Sequence, residues 1–416
     1  MPLDRPAAGI QPAETLPRLL YLADTPVEQS CHGSALVYRL LSEYPADRLR
    51  IIEVGEASIP SRRLANRDYH YCPQPRMLLR ALNTRFRQWA EFILARVTTV
   101  ALSRVDKIAA EFQPESVLTV MHGYGWMKAF HIANALNLPA HCIVHDDLPT
   151  MFGSRCGPYI ARRFEECYVA ATSRYCVSTA MAEEYQKRYG CHGDVLLPSR
   201  ATGVSGSLTM PVTGKDDGPI TVAFAGSVNG QGYAEALRHL AECLAEQDGR
   251  LFIYGPLTES AAVAAGLQLP NVTLRGMIPS EKLVETLQRD VDVVFVPMSF
   301  APGDRINMTI AFPSKLTDCT LTGLPLLIYG PEYCSAVRFA KDNSGLGEVV
   351  TTNDPVEMHG AIKRLENPLH RAALGESSVF LGNHYFSLDS SLKQFYTGLN
   401  RKSLVPRTGP HNRCSD

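Results

Sequence analysis

The chain has 416 residues, of which 45% are hydrophobic and 20% are charged. This composition is typical of a globular protein, and it excludes a chain that is mostly disordered. Lysine and arginine together number 41 and aspartate and glutamate 42, which gives a formal net charge of −1. The chain therefore lacks the overall positive charge that would indicate a nucleic-acid partner.

Eleven cysteines are scattered along the chain without any Cys-x-x-Cys pair. This pattern favours reduced thiols over a disulfide framework or a zinc site. The N-terminus lacks the basic start and apolar core of a signal peptide, and no apolar run approaches the roughly 20 residues that a membrane-spanning helix needs. We therefore expect a cytoplasmic protein, at most peripheral to the inner face of the membrane.

Short apolar runs alternate with longer helix-patterned segments, twice over. In the first half, strands are predicted at residues 19–23, 51–54, 117–120, 142–145, 175–178 and 195–197, and helices at 33–42, 76–112, 127–136 and 180–189. In the second half, strands are predicted at 220–225, 251–254, 272–274, 291–296, 324–328 and 348–350, and helices at 233–246, 280–288, 315–322 and 355–365. Near-continuous apolar strands separated by helices are typical of parallel sheets covered on both faces. The sequence thus predicts an α/β protein with two Rossmann-like, doubly wound domains.

A Gly- and Pro-rich segment at residues 199–219, with little apolar periodicity, indicates a linker between the two domains. The predicted parts of the chain are a flexible N-terminus at 1–16, a first domain at 17–205, a second domain at 206–375, a C-terminal helix at 376–400 that returns to the first domain, and a flexible tail at 401–416.

Glycines and polar residues follow several predicted strands, at the end of the sheet where doubly wound folds bind ligands. In the second half these residues are Gly226, Ser227, Tyr254, Gly255, Gly276, Met277 and Ile278. In the first half they are Gly33, which opens a helix, and His122, His145, Asp146 and Asp147. No run matches Gly-x-Gly-x-x-Gly or a P-loop, so neither NAD binding nor nucleoside triphosphatase activity is indicated.

The most specific stretch is Phe-Pro-Ser-Lys-Leu-Thr-Asp at residues 312–318. Pro313 and Ser314 are typical of a helix start, with Ser314 as the N-cap. Free N–H groups at such a start would face a phosphate. Lys315 and Asp318 are three residues apart, hence on one face of the first turn.

This stretch, followed by Gly-x-Pro and an apolar strand, resembles the donor-binding helix of GT-B glycosyltransferases, in particular the large retaining group called family four. The order of the surrounding motifs agrees: a glycine after the first strand of the second half, then 272–279, then the Pro-Ser-Lys stretch, then 345–354. The resemblance covers residues 220–365 well and the first half loosely. It implies the GT-B fold, in which two Rossmann-like domains face a central cleft.

The resemblance implies roles for the residues that match the family pattern. Asp318 would accept hydrogen bonds from the nucleotide ribose, and His145 would approach the donor sugar. Asp146, which follows His145, is a catalytic candidate because of its position and its acid–base chemistry. The phosphates would lie against Gly33, Gly226, Ser227, Pro313, Ser314, Lys315 and Leu316. The base would lie against Tyr254, Gly255, Gly276, Met277 and Ile278.

The sequence departs from the family pattern at two places. The family's second acid, seven residues before Asp318, is Ala311 here, and no arginine or lysine follows Gly226 directly. The charge that neutralises a diphosphate is therefore expected from Lys315 and from Arg305.

The implied activity is transfer of a sugar from a nucleotide diphosphate, most plausibly UDP or GDP, to a hydroxyl of a glycan, lipid-linked or small-molecule acceptor. Retention is expected, without a metal or a cofactor. Two alternatives stay open. A sugar-nucleotide epimerase would use His122, His145, Asp146 and Asp147 for acid–base chemistry. A catalytically weak or inactive binding or scaffold protein would explain the missing charges.

The predicted helix at 76–112 combines an apolar face with many arginines. Two interpretations stay open for the part between Arg76 and Lys107. The preferred one is a helix packed on the core of the first domain, with arginines in solvent. The other is a basic amphipathic helix in peripheral contact with an anionic membrane, which would imply a lipid-linked acceptor.

Overall fold

The computed structural model describes residues 16–29, 33–152, 155–201, 204, 206, 218–228 and 230–401. The predicted flexible N-terminus up to residue 15, most of the predicted linker and the tail from residue 402 lie outside the described residues. The chain forms two compact units. The first comprises the chain through Val177, Ala182–Leu196 and the chain from Leu392, and the second comprises Ser178–Met181 and Leu197–Ser391.

Among its described residues before residue 196, the first unit contains seven strands and seven helices. They are β1 (Leu19–Ala23), α1 (Gly33–Ser42), β2 (Leu49–Glu53), β3 (Asp68–Tyr71), α2 (Arg76–Ala81), α3 (Arg87–Ala101), α4 (Ser103–Phe112), β4 (Ser116–Val120), α5 (Gly125–Ala135), β5 (Ala140–Val144), α6 (Gly157–Ala170), β6 (Ser173–Cys176), α7 (Thr179–Tyr189) and β7 (Asp194–Val195). The first residues of α7 belong to the second unit.

The second unit contains six strands and their flanking helices. They are β8 (Thr221–Ala225), α8 (Gln231–Ala245), β9 (Arg250–Tyr254), α9 (Glu259–Ala264), β10 (Val272–Gly276), α10 (Ser280–Asp290), β11 (Val293–Pro297), α11 (Arg305–Ile310), α12 (Leu316–Cys319), β12 (Leu326–Tyr329), α13 (Ser335–Asp342), β13 (Gly347–Val350), α14 (Pro355–Leu365) and α15 (Pro368–Tyr385). A last helix, α16 (Leu388–Leu399), starts in the second unit and continues into the first.

Each unit is built on one parallel sheet with the Rossmann strand order. The first sheet runs β3-β2-β1-β4-β5-β6-β7 and the second β10-β9-β8-β11-β12-β13. In each sheet the order reverses beside the first strand of the unit, which creates the crevice where such folds bind ligands. The prediction of two doubly wound, Rossmann-like units is confirmed.

Burial of the central strands explains why their sequences are mostly apolar. Every residue of β1, β4, β5, β11 and β12 is buried. Helices cover both faces of a parallel sheet, so apolar side chains prevail on both faces of these strands, with Ser116, Thr119 and His141 as buried polar exceptions. β3 was not predicted, because its sequence Asp-Tyr-His-Tyr lies half-exposed at the end of the sheet and shows no apolar run.

The prediction of one helix over residues 76–112 is wrong, because the structure has three helices there. After α2, the Thr84 hydroxyl donates to the Ala81 carbonyl (2.8 Å) and accepts from the Phe86 amide (3.1 Å). These side-chain bonds compete with the helical pattern and form a turn. A second break occurs at Leu102, which has a non-helical ψ of 36°.

The last residues of α16 are held by the strands of the first unit. The Tyr175 hydroxyl donates to the Phe395 carbonyl and the Ser173 hydroxyl to the Gly398 carbonyl, both at 2.7 Å. Among the described residues, no helix is long and apolar enough to cross a membrane. The nine described cysteines are free thiols, and eight of them are buried.

Candidate functional site

Three glycine turns lie side by side at the carboxyl ends of β8, β9 and β10. The Gly226 amide donates to the Tyr254 carbonyl (2.7 Å), and the Gly255 amide donates to the Gly276 carbonyl (2.9 Å). A Cβ placed on Gly255 would lie 2.0 Å from the Gly226 carbonyl oxygen, so only glycine lets these two turns pack so closely. The structure thus brings the three predicted glycines together.

The side chain of Lys315 reaches over the first of these turns. A Cβ placed on Gly226 would lie 1.9 Å from the Lys315 Nζ, so the ammonium occupies the space that a side chain at position 226 would fill. Nζ also lies 5.6 Å from the centroid of the Phe224 ring. The glycine turn has no cation in its own described sequence, and Lys315 supplies one. A phosphate bound at this turn would meet a positive charge.

The turn that carries Lys315 differs from the predicted helix at 315–322. The helix α12 has only four residues, its N-cap position is Lys315, and no side chain caps it. The prediction that Ser314 is the N-cap is therefore wrong. The amides of Leu316, Thr317 and Asp318 donate to the carbonyls of residues 313–315, so the amides from Leu316 onward are used inside the turn. The positive charge at this turn is that of the Lys315 side chain.

Threonines explain why this helix stays short. The hydroxyls of Thr317, Thr320 and Thr322 donate to the carbonyls three residues before them, at 2.7, 3.0 and 2.7 Å. Such bonds favour tight turns over a regular helix. Gly323 then adopts a left-handed φ of 67° and ends the segment.

Arg200, a buried residue that was not predicted from the sequence, holds this turn through hydrogen bonds. Arg200 is 1% exposed, and its guanidinium donates to the Thr317 carbonyl (3.3 Å), to the Thr320 hydroxyl (2.8 Å) and to the Asn383 side chain. Burial lowers the pKa of Arg200 to about 10, and the negative charge of Asp318 opposes that shift. Arg200 therefore positions the turn and places a cation near the Asp318 carboxylate. Arg200 lies in the predicted linker, where nothing in the sequence indicates a buried side chain.

The other predicted residues of the second unit lie in different surroundings. Tyr254 is 3% exposed, and its hydroxyl donates to Asp290 (3.1 Å). Leu316 is fully buried, so only its backbone could meet a ligand. Met277 is 68% exposed, while Ser227, Ile278, Pro313 and Asp318 are half-buried and Ser314 is exposed. The Arg305 guanidinium stacks on the Tyr333 ring at 4.2 Å.

In the first unit, two histidines and an aspartate form a cluster where β4 and β5 end. The rings of His122 and His145 are stacked with centroids 5.4 Å apart. The Asp146 Oδ2 atom lies 3.4 Å from His145 Nε2 and 3.9 Å from His122 Nδ1. Their ligand atoms lie within 4.8 Å of one another, close enough to hold a metal ion. A Cβ on Gly33 would lie 2.8 Å from the His145 ring, so Gly33 belongs to the same place.

Asp147 is held by structural partners, which distinguishes it from its neighbour Asp146. Its side chain is completely buried and accepts hydrogen bonds from Arg188 Nη1 (3.0 Å to each oxygen) and from the Tyr185 hydroxyl (3.0 Å). Both oxygens of this carboxylate are thus bonded to side chains of the protein itself. Asp147 therefore has a structural role that its neighbour Asp146 does not share.

Asp24, directly after β1, is a polar residue of this region that the sequence analysis missed. Its carboxylate accepts from the Tyr124 amide (2.8 Å), the Gly125 amide and the Gln74 side chain (2.6 Å). Loss of hydration raises the pKa of Asp24 to about 6, while the two amides and the charge of His122 act in the opposite direction. Its position directly after the first apolar strand could have identified Asp24 as a candidate site residue.

The fold is shared with solved structures, although the sequence matches no family model and no curated protein. HepE of Anabaena, in complex with UDP and glucose, is 13% identical over 92% of this chain and 99% of its own, with a TM-score of 0.63. Sucrose-phosphate synthase of Thermosynechococcus elongatus is 15% identical over 92% and 98%, with a TM-score of 0.65. The galactosyltransferase WaaB of the lipopolysaccharide outer core is 14% identical over 92% and 98%, with a TM-score of 0.58. This likeness confirms the predicted GT-B fold class.

We expect Gly255→Ala to destabilise the protein, because the added Cβ would meet a backbone oxygen that cannot move without shifting β8. The cost should be about 1–3 kcal/mol, which lowers the melting temperature by roughly 2–4 °C for each kcal/mol. Gly226→Ala is the matched control, since its Cβ meets side-chain atoms of Lys315 and Phe224 and no backbone atom among its three nearest neighbours. Thermal unfolding followed by circular dichroism compares them. Equal melting temperatures for the two variants would contradict the packing described above.

The raised pKa of Asp24 predicts a pH-dependent stability. The folded state prefers the neutral carboxyl, so this stabilisation is complete below the ordinary pKa of 3.8 and is lost as pH rises through about 6. Asp24 is partly exposed, so we expect a loss on the order of 1–2 kcal/mol. Denaturant unfolding of the wild type and Asp24→Asn should show their stability difference shifting in favour of the variant between pH 4 and pH 7. A difference independent of pH would refute the assignment.

Proposed function

We propose that the protein is a glycosyltransferase that moves a sugar from a nucleotide diphosphate to an acceptor hydroxyl. The observation that carries the proposal is the ammonium of Lys315 over the Gly226 turn. A glycine turn at the carboxyl end of a parallel strand gives a diphosphate close access to backbone, and the lysine offsets its charge. The complexes of HepE with UDP and with UDP-glucose support a nucleotide sugar as the donor.

We assign the parts of the nucleotide to neighbouring residues of the second unit. The diphosphate lies against Gly226 and Lys315. The ribose hydroxyls donate to Asp318, whose carboxylate is oriented by the turn that Arg200 holds. The base lies against the turns of Gly255 and Gly276, with exposed Met277 available to cover it.

In the reaction, the bond between the sugar C1 and the phosphate oxygen breaks and its electron pair goes to the phosphate. The acceptor oxygen forms the new bond to C1, and its proton passes to the leaving phosphate. Attack from the same face gives retention without a protein nucleophile. Lys315 stabilises the charge that develops on the phosphate. We assign His145 and Asp146 to the sugar and the acceptor, where their side chains orient hydroxyls.

The His122–His145–Asp146 cluster also favours a second candidate, a sugar-nucleotide epimerase, since it offers paired proton donors and acceptors. A panel of UDP- and GDP-sugars separates the two functions. A transferase releases nucleoside diphosphate when an acceptor is added, whereas an epimerase converts the sugar nucleotide without releasing it. A protein that turns over none of them and binds no nucleotide would be a scaffold.

We expect Lys315→Ala and Asp318→Ala each to weaken UDP or GDP binding by about 1–3 kcal/mol, as for the loss of a hydrogen bond to a charged group. Lys363→Ala is the matched control, because Lys363 is 77% exposed on α14 and pairs only with Glu366 among the contacts described. Isothermal titration calorimetry measures the affinities. Wild-type affinity in both site variants would remove the assignment, and a wild-type protein that ignores UDP, GDP and ADP at millimolar concentration would favour the scaffold.

We expect transfer to continue in EDTA, because Lys315 supplies the positive charge that a divalent ion provides in other transferases. The measurement is the release of UDP or GDP with EDTA and with added Mn²⁺, Mg²⁺ or Zn²⁺. Loss of activity in EDTA with recovery on adding one ion would contradict this expectation. If His122→Ala then abolished the recovery, the ion would be assigned to the His122–His145–Asp146 cluster.

A further inference from the structure

The segment between β3 and β4 exposes an unusual amount of apolar surface. The side chains of Met77, Phe86, Trp89, Ile93 and Val100 are 83, 53, 53, 40 and 77% exposed. All seven residues from 83 to 89 are exposed. Several exposed apolar side chains of this size within one short segment favour a surface that another molecule or a membrane covers. We call the exposed side chains of residues 77–100 the arginine–aromatic surface.

The helix α3 carries more apolar side chains than it buries against the core of its unit. Ala90, Leu94, Ala95 and Thr98 are buried and attach the helix to its unit. Phe86, Trp89 and Ile93 lie outside this stripe and stay exposed. The preferred interpretation of a core-packed helix with arginines in solvent therefore accounts for one face of α3 and leaves the aromatic face unexplained.

The charge of this surface is positive throughout. Residues 77–100 contain four arginines and a single acid, Glu91. Glu91 is only 3% exposed and bonds to Arg87 at 2.8 Å, while Arg80, Arg85 and Arg96 are exposed. The surface therefore complements an anionic partner.

The arginines lie against the aromatic rings. The guanidinium of Arg85 lies 5.0 Å from the Phe86 ring centroid, that of Arg155 lies 4.1 Å from Trp89, and that of Arg96 lies 3.5 Å from Phe92. In this arrangement a ring can enter the acyl region of a bilayer while the neighbouring guanidinium stays at headgroup phosphates.

We propose that the arginine–aromatic surface docks on an anionic phospholipid bilayer, with Phe86 and Trp89 inserted and the arginines at the headgroups. The helix α3 has 15 residues, too short and too charged to span, so it lies along the interface. The turn fixed by Thr84 holds Phe86 outward. Docking of two copies through this surface would bring like charges together, which disfavours a dimer as the occupant.

If the protein is a glycosyltransferase, as proposed above, an enzyme held at a bilayer by its first unit would use a lipid-linked acceptor. This statement about the acceptor rests on the proposed function. Binding to vesicles itself needs no nucleotide. Failure of vesicle binding and failure of nucleotide binding are therefore separate results.

The test is co-sedimentation of the full chain with phosphatidylcholine vesicles, with and without equal phosphatidylglycerol, together with tryptophan fluorescence. The protein has two tryptophans, and Trp126 is fully buried while Trp89 is exposed, so a blue shift on adding vesicles reports Trp89. We expect binding only to anionic vesicles and a blue shift. We also expect high salt to weaken binding.

Two variants divide the contributions, and a third is the control. Phe86→Ser/Trp89→Ser should weaken binding more than about tenfold, and Arg80→Gln/Arg85→Gln by about fivefold for each arginine. Leu369→Ser/Phe380→Ser removes two side chains that are 82 and 65% exposed in the second unit and should bind like the wild type. Circular dichroism and melting temperature confirm that each variant is folded.

The proposal is overturned if the wild type neither sediments with anionic vesicles nor shifts its fluorescence. It is also overturned if the control variant loses as much binding as the Phe86/Trp89 variant. Absence of vesicle binding together with a dimer in light scattering that Phe86→Ser/Trp89→Ser dissolves would assign the surface to a second copy of the chain.

Discussion

The contact between one ammonium group and one glycine turn is the interaction on which the proposed donor site of the second unit depends. Lys315 comes from the turn after α11 and Gly226 from the end of β8, so the charge and the backbone that it serves are far apart in sequence. The absence of a side chain at position 226 makes room for the cation. The Gly255 turn packs against the same backbone, next to the place proposed for the diphosphate. A nearby anion then experiences a charge that the turn's own described residues do not carry.

Much of the architecture could be predicted because buried strands have a recognisable apolar sequence. Strands covered on both faces are mostly apolar, and helices fill the intervals between them, so the two sheets could be predicted from the alternation. The resemblance of 312–318 to the donor motif added the GT-B fold class, which the solved structures confirm. The half-exposed strand β3 escaped prediction because no such constraint acts on it.

The finer features of the site depend on contacts between distant residues, and a single sequence shows none of them. A Pro-Ser-Lys start predicted a capped helix, but threonine hydroxyls shorten it and leave Ser314 without a capping role. Arg200 and Asp24 read as ordinary surface or turn residues, since charged side chains are exposed by default. Only the structure shows that Arg200 is buried next to the turn of Lys315 and that Asp24 accepts hydrogen bonds from the amides at the start of α5. The proposed roles of His145, Lys315 and Asp318 remain predictions from the family pattern, and that of Asp146 remains a prediction from its position.

The placement of Arg200 bears on how such proteins can be recombined. The residue belongs to the connector between β7 and β8, yet its guanidinium supports the carbonyl of Thr317 and the hydroxyl of Thr320. A chimaera that grafts this second unit onto a foreign partner must therefore be joined upstream of Arg200. A junction placed later, within the Gly- and Pro-rich stretch that follows, would remove the residue that holds the Lys315 turn while keeping every strand of the second unit.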